Sequence, residues 1–284
     1  MGRDDYSEAA LVLLGHGTEL NAESATPVYQ HAGELRRRRC FAEVREAFWK
    51  QEPRLFEVLE SLAVPKVFLV PMFISEGYFS EEVIPEALGF EKDPAGQRTG
   101  SQQRGAQMLA YCKPIGTHES MTAVLLARAR EVIERFPFPR PARPQETTLF
   151  IAGHGTSQNE NSRQAVENQV KLVSIQKLYA GVHGVFLEEE PRIPACYQLA
   201  QTRNVVMVPF FISDGMHVAE DIPVLLGEPE RIVRERQKSG QPTWRNPTEK
   251  HGKLVWYSSS VGTNPLIAQV ILDRVAEAAR QLVA

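Results

Sequence analysis

The sequence predicts an α/β protein made of two similar parallel-sheet domains that arose by internal duplication. Three observations predict it. A repeat holds its register along the chain, the apolar runs are short and continuous rather than alternating, and helix-length amphipathic segments lie between them.

The repeat comes first. Leu11-Val-Leu-Leu-Gly-His-Gly-Thr18 returns as Leu149-Phe-Ile-Ala-Gly-His-Gly-Thr156, and Val70-Pro-Met-Phe-Ile-Ser-Glu-Gly77 returns as Val208-Pro-Phe-Phe-Ile-Ser-Asp-Gly215. The step is 138 residues in both cases, and Asn21/Asn159, Phe48/Phe186, Glu52-Pro53/Glu190-Pro191, Pro85/Pro223 and Gly89/Gly227 keep it. Further on, Tyr111 and Gly116-Thr117 answer Tyr257 and Gly262-Thr263 at a step of 146, so the second copy carries a longer connection. Domains at 1–138 and 145–284 follow, separated by the proline-rich stretch 136–144, which cannot continue a helix.

Within each copy the elements alternate. The runs 11–14 and 67–72, with their partners 149–152 and 205–210, have strand length and lead into loops of Gly, Ser, Asn or Asp. Being continuously apolar, they suit strands buried on both faces, hence a parallel sheet between helices. Segments 22–38 and 121–136 have helix length and periodicity. The run Arg36-Arg37-Arg38-Arg39 closes the first of these helices, where cations complement the helix dipole and face water. Segment 92–105, rich in Gly, Gln, Ser and Arg, reads as a mobile loop.

Composition narrows the function classes. A chain of 284 residues is long enough for two cores, and 43% hydrophobic with 24% charged residues is a globular mixture. A net charge of -3 gives no basic field for nucleic acid. The three cysteines, Cys40, Cys112 and Cys196, are far apart with no CxxC pair, which excludes a disulfide framework, a zinc knuckle and a cysteine-held cluster within the chain. No apolar run reaches membrane-spanning length. The first ten residues lack an apolar signal region, and Tyr6 stands where a myristoylation site wants Ser or Thr. A cytoplasmic protein is expected, with no membrane partner.

The chemistry is expected beyond the carboxyl ends of the strands, where open parallel sheets bind ligands. Gly153-His154-Gly155-Thr156 puts a histidine at one such end, Gly184-Val-Phe186-Leu-Glu188 a carboxylate at the next, and Ser213-Asp214-Gly215-Met216-His217 a second histidine after the third. Two imidazoles and a carboxylate suit a divalent ion of the Fe, Co, Ni, Zn series, with positions left for water or substrate. The first copy provides a control. His16 matches His154, but Lys50 stands for Glu188 and Phe79 for His217, so the second copy is expected to be the working one. His16 then reads as a loop-fixing residue. Glu190, like Glu52, reads as a helix-start signal beside its proline, and Glu189 as facing solvent. His31, His118, His183 and His251 have no histidine partner in the other copy and read as packing or surface residues, as does Cys196 in a helix after Pro194.

The strand end Gly153–Thr156, the turn Val208–Gly215, the Phe186-Leu187-Glu188 step and the following His217 resemble the CbiX family of sirohydrochlorin chelatases, and the resemblance spans both halves. It implies a chelatase-like fold, two α/β domains facing across a cleft. It also implies insertion of Co2+, or of Fe2+ or Ni2+, into a sirohydrochlorin-type tetrapyrrole without ATP. Carried over by residue, the family's histidine pair falls on His154 and His217 and its carboxylate on Glu188, serving both as metal ligands and in catalysis. Lys50, Tyr78, Phe79 and His16 become candidate substrate contacts: the lysine for the ring's carboxylates, the aromatics for its face. No cofactor beyond the metal substrate is implied, and two fused halves favour a monomer. Two other readings fit the same residues: a tetrapyrrole or metal carrier without turnover, and a zinc hydrolase. The hydrolase would want an HExxH-like helix or a close carboxylate base, and neither is present.

Overall fold

The continuous apolar runs form the inner strands of two sheets. A computed structural model of the chain describes residues 6–18, 24–92, 96, 98, 100–156 and 160–283. The first sheet contains β1 (Tyr6–Gly15), β2 (Phe41–Phe48), β3 (Lys66–Pro71), β4 (Ser101–Arg104) and β5 (Gln107–Tyr111) in the order β2-β1-β3-β5-β4. Helices α1 (Thr26–Arg38), α2 (Leu55–Ser61) and α3 (Ile84–Ala87) connect its strands, and α4 (Met121–Arg135) follows. The second sheet repeats the plan with β6 (Thr147–Gly153), β7 (Gly181–Phe186), β8 (Asn204–Pro209), β9 (Thr248–Lys250) and β10 (Lys253–Tyr257) in the order β7-β6-β8-β10-β9. Helices α5 (Asn161–Ile175), α6 (Cys196–Leu199), α7 (Ile222–Leu225) and α8 (Glu230–Lys238) connect its strands, and α9 (Ile267–Val283) follows. Four strands of each sheet run parallel, and one edge strand, β4 or β9, pairs antiparallel.

Burial explains why the inner strands lack alternation. Every residue of β6 is buried, as is β1 from Ala9 to Gly15, because each sheet face is covered. Phe150, Val205, Met207 and Val255 centre one core, while Val12, Leu14, Val67 and Leu69 centre the other. Each such side chain contributes roughly 1.5–3 kcal/mol by leaving water. Phe150→Ala would open a cavity and cost about 3–5 kcal/mol. The two hydroxyls buried in β6 are satisfied, Thr147 donating to the Arg143 carbonyl and Thr148 pairing with Thr202.

The sequence repeats and the compact units divide the chain differently. One unit holds the chain through His118 together with residues from Pro265 onward, and the other is Glu119–Asn264. Each repeat therefore lends its last helix to the other repeat's sheet, across the expected boundaries of 1–138 and 145–284. Two buried arginines at equivalent positions fix the exchange. On α4, Arg128 donates from Nε to the Ser260 carbonyl (2.9 Å) and from one terminal nitrogen to Thr263 (2.6 Å). On α9, Arg274 does the same to Pro114 (2.9 Å) and Thr117 (2.7 Å). A repeat in sequence records which helix follows which strand, not which sheet that helix covers.

Two expected elements differ in detail. α1 starts at Thr26 rather than at 22, with Pro27 in its first turn, a position where the missing N–H costs nothing. Part of segment 92–105 is not a loop: Ser101–Arg104 form β4 against β5, and Lys92 bridges Arg98. The strand is polar because it is an edge, with its residues half exposed. Residues 93–95, 97 and 99, like Asn21 and Asn159, lie outside the described residues. Among the described residues no helix is long and apolar enough to cross a membrane.

Candidate functional site

Three chain segments of the second unit meet at the carboxyl end of its sheet. β6 ends at Gly153 and turns at Gly155, whose φ of +67° suits glycine; a Cβ there would lie 2.6 Å from the Glu189 side chain. The turn leaves His154 half-buried, its Nδ1 2.7 Å from the Gly155 carbonyl. A carbonyl can only accept, so Nδ1 carries the hydrogen and Nε2 keeps its lone pair in the neutral ring. β7 ends at Phe186, and Arg192 grips the next two residues by donating to the Leu187 and Glu188 carbonyls at 2.9 and 3.1 Å. The Glu188 carboxylate stands 3.8 Å from His154 Nε2.

His217 opens a single wide helical turn, residues 217–221, after the turn that follows β8. Its ring lies 4.9 Å from that of His154, centroid to centroid, at 82°. Its Nδ1 is 2.6 Å from Asp221 Oδ2, so here too Nδ1 donates and Nε2 is left with a lone pair. Phe211 closes one side, 6.4 Å from the His154 ring and 6.1 Å from that of His217. The structure thus brings together the three residues the sequence singled out, as an open set. Among the described residues, no three His, Cys, Asp or Glu side chains form a ready metal cluster. The arrangement offers two free imidazole nitrogens and a nearby carboxylate, which can take up a cation or protons and release them.

The equivalent place in the first unit has the same backbone and other contents. His16 hydrogen-bonds the Gly17 carbonyl through Nδ1 at 3.0 Å, as its counterpart does. The Phe79 ring lies 5.1 Å from that of His16 and packs edge-on against Trp49 and Phe73. Burial lowers the His16 pKa, and the Lys50 charge adds to the effect. Lys50 is exposed. Phe79 is thus engaged within its own unit, while Tyr78 is 72% exposed. Met216, the counterpart of Tyr78, is 64% exposed beside His217.

Sequence reasoning missed two residues. Asp221 could have been found: the spacing His217-Val-Ala-Glu-Asp221 puts a carboxylate one turn on, and the other copy has Phe79 and Val83 at the same two places. Glu189, expected to face solvent, instead lies under Gly155 and pairs with Arg163 at 2.9 Å. Arg163 also bonds the Glu190 carbonyl and stacks over Phe186. The second oxygen of Glu189 is buried without a hydrogen-bond partner among the described residues. Three consecutive glutamates hid this, since only the fold shows which one turns inward. The remaining histidines pack: His31 is buried, His118 meets Glu277, His251 meets Tyr197, and His183 stacks on Phe150, where burial lowers its pKa.

Comparison with known proteins agrees with the duplication. The family model described as CbiX matches residues 10–132 and again 148–278. A Halobacterium salinarum protein named "Probable sirohydrochlorin cobaltochelatase" is 39% identical over 279 residues, 95% of this chain and 91% of that one. A Methanopyrus kandleri protein named "Sirohydrochlorin cobaltochelatase" is 32% identical over 138 residues, 46% of this chain and 95% of its own. Among solved structures, a multi-domain Deinococcus radiodurans protein described as structurally similar to chelatases superposes with a TM-score of 0.73 at 27% identity. The match covers 94% of this chain and 54% of that one, which carries two additional domains.

Proposed function

The chain belongs to the CbiX family, and from that premise we propose that it inserts a divalent metal ion into sirohydrochlorin or a closely related tetrapyrrole. The observation that carries the reading is the facing pair of imidazoles at His154 and His217, each with Nδ1 engaged and Nε2 without a hydrogen bond among the described residues. Insertion requires the ring to lose two pyrrole protons as the metal enters. A lone pair at Nε2 can hold the incoming cation or accept such a proton, and Glu188, 3.8 Å from His154 Nε2, balances charge and relays the proton outward. The metal is a substrate and must be released. An open set of two imidazoles and one carboxylate, without thiolate, suits transfer better than a closed cage.

Co2+ is the metal this reading favours, in keeping with the names of the two relatives, with Fe2+ and Ni2+ as alternatives. No cofactor beyond the metal substrate is required, and the chain acts as a monomer. Met216, a large apolar side chain left exposed beside His217, is a contact for the apolar face of the ring. Phe79 packs into its own unit against Trp49 and Phe73.

The test is anaerobic absorbance spectroscopy of sirohydrochlorin with Co2+, Fe2+ and Ni2+ in turn. Insertion by the wild type and its loss in His217→Ala is the expected result. A wild type that binds the ring and inserts none of the three metals is a carrier, and the reading fails.

A further inference from the structure

We propose that Asp221 is a positioning residue that makes His217 the metal-capturing arm of the site. The inference rests on the chelatase reading above. The two imidazoles are not held alike. His154 donates its Nδ1 hydrogen to a neutral carbonyl, whereas His217 donates to a carboxylate at 2.6 Å. A carboxylate behind an imidazole fixes the tautomer and ring orientation and strengthens the opposite nitrogen as a ligand, so His217 Nε2 is the better donor to a cation. His154, with its weaker partner and with Glu188 beside its Nε2, is left to take the pyrrole proton.

The repeat supports the pairing independently. Where the first copy lacks the histidine it also lacks the carboxylate, with Phe79 and Val83 at the two positions. The turn itself does not need the carboxylate, since the first copy forms the same turn at Phe79–Val83 without it. Both members of the pair are nearly half exposed, so the bond adds little to folding. Besides His217, Tyr257 lies within electrostatic reach of Asp221, as it does of Asp214, and its hydroxyl is occupied in donating to the Val218 carbonyl at 2.7 Å.

The experiment is an anaerobic titration of the full chain with Co2+ alone, read by the visible absorption of the bound ion, for wild type, His217→Ala, Asp221→Ala and Asp221→Asn. Sirohydrochlorin affinity and thermal midpoint are measured alongside. Asp221→Ala should weaken Co2+ binding by about 10- to 100-fold, with ring affinity and melting unchanged. Asp221→Asn, whose uncharged side-chain oxygen still accepts from Nδ1, should keep the ring oriented and recover only part of the loss. If Asp221→Ala binds Co2+ like the wild type while His217→Ala does not, the positioning role is wrong and the chelatase site stands. If His217→Ala itself binds Co2+ like the wild type, the metal site is misplaced and both fall. If Asp221→Ala no longer melts cooperatively, the bond is structural and the proposal fails.

Discussion

At the end of β6, His154 faces the ring of His217 at 4.9 Å; at the end of β1, His16 faces the ring of Phe79 at 5.1 Å. The glycine turns, the Nδ1-to-carbonyl bonds and the wide helical turns are the same in both places. The side chains differ: Lys50, Phe79 and Val83 stand where the second copy has Glu188, His217 and Asp221. The comparison separates scaffold from chemistry: the frame is present in both copies, and the donor set in one.

The sharpest way to break this contrast is to remove the second ring of each pair. His217→Ala should lower kcat/KM for metal insertion by about 10²-fold or more, and Phe79→Ala should leave kcat within a few-fold of wild type. Equal losses would mean that the first copy is also a working site. Next in size is the carboxylate position. Glu188→Gln should reduce kcat by about 10²-fold, whereas Lys50→Gln should leave kcat unchanged. Steady-state kinetics at saturating metal distinguishes the two.

Scaffold changes should, by contrast, be felt in both copies alike. Arg128→Met and Arg274→Met each strip a buried guanidinium from a backbone carbonyl and a threonine, and each should cost roughly 2–3 kcal/mol in denaturant unfolding. A large difference between them would show that one helix is held mainly by other contacts. The smallest expected effect concerns pH. The folded chain holds the His16 pKa below its ordinary 6.5, so the unfolded chain takes up the proton first as pH falls. Stability should therefore decline as pH drops through about 6.5 and level off below the folded pKa. Thermal melts of His16→Phe between pH 8 and pH 5, on the order of half a unit apart, should show a shallower slope than wild type.

The legible parts of the molecule were those written locally. The 138-residue step places Gly15 beside Phe48 in one sheet and Gly153 beside Phe186 in the other, so register in one copy could be read from the other. His154, Glu188 and His217 were legible because each follows an apolar strand. β4 was not, since an exposed edge needs no apolar residues and Ser-Gln-Gln-Arg looks like a loop. Asp221 escaped because a carboxylate four residues after a histidine is common on any helix surface; the legible signal was that the other copy lacks both, and the 2.6 Å contact gives it meaning. Glu189 and Arg163 lie 26 residues apart, and no local pattern predicts that they meet.

The exchanged helices also bear on how the chain matures. The first sheet is translated early, yet α9, which packs on β3 and β5, is made after every strand of the second sheet. Until then that face of β3 and β5 stays uncovered, and α4 has no sheet of its own to cover. A ribosome-bound first repeat would therefore be an open half-product, and a fragment ending at the proline-rich linker would complete itself by trading α4 with a second copy. In the joined chain the same exchange is a step within one molecule.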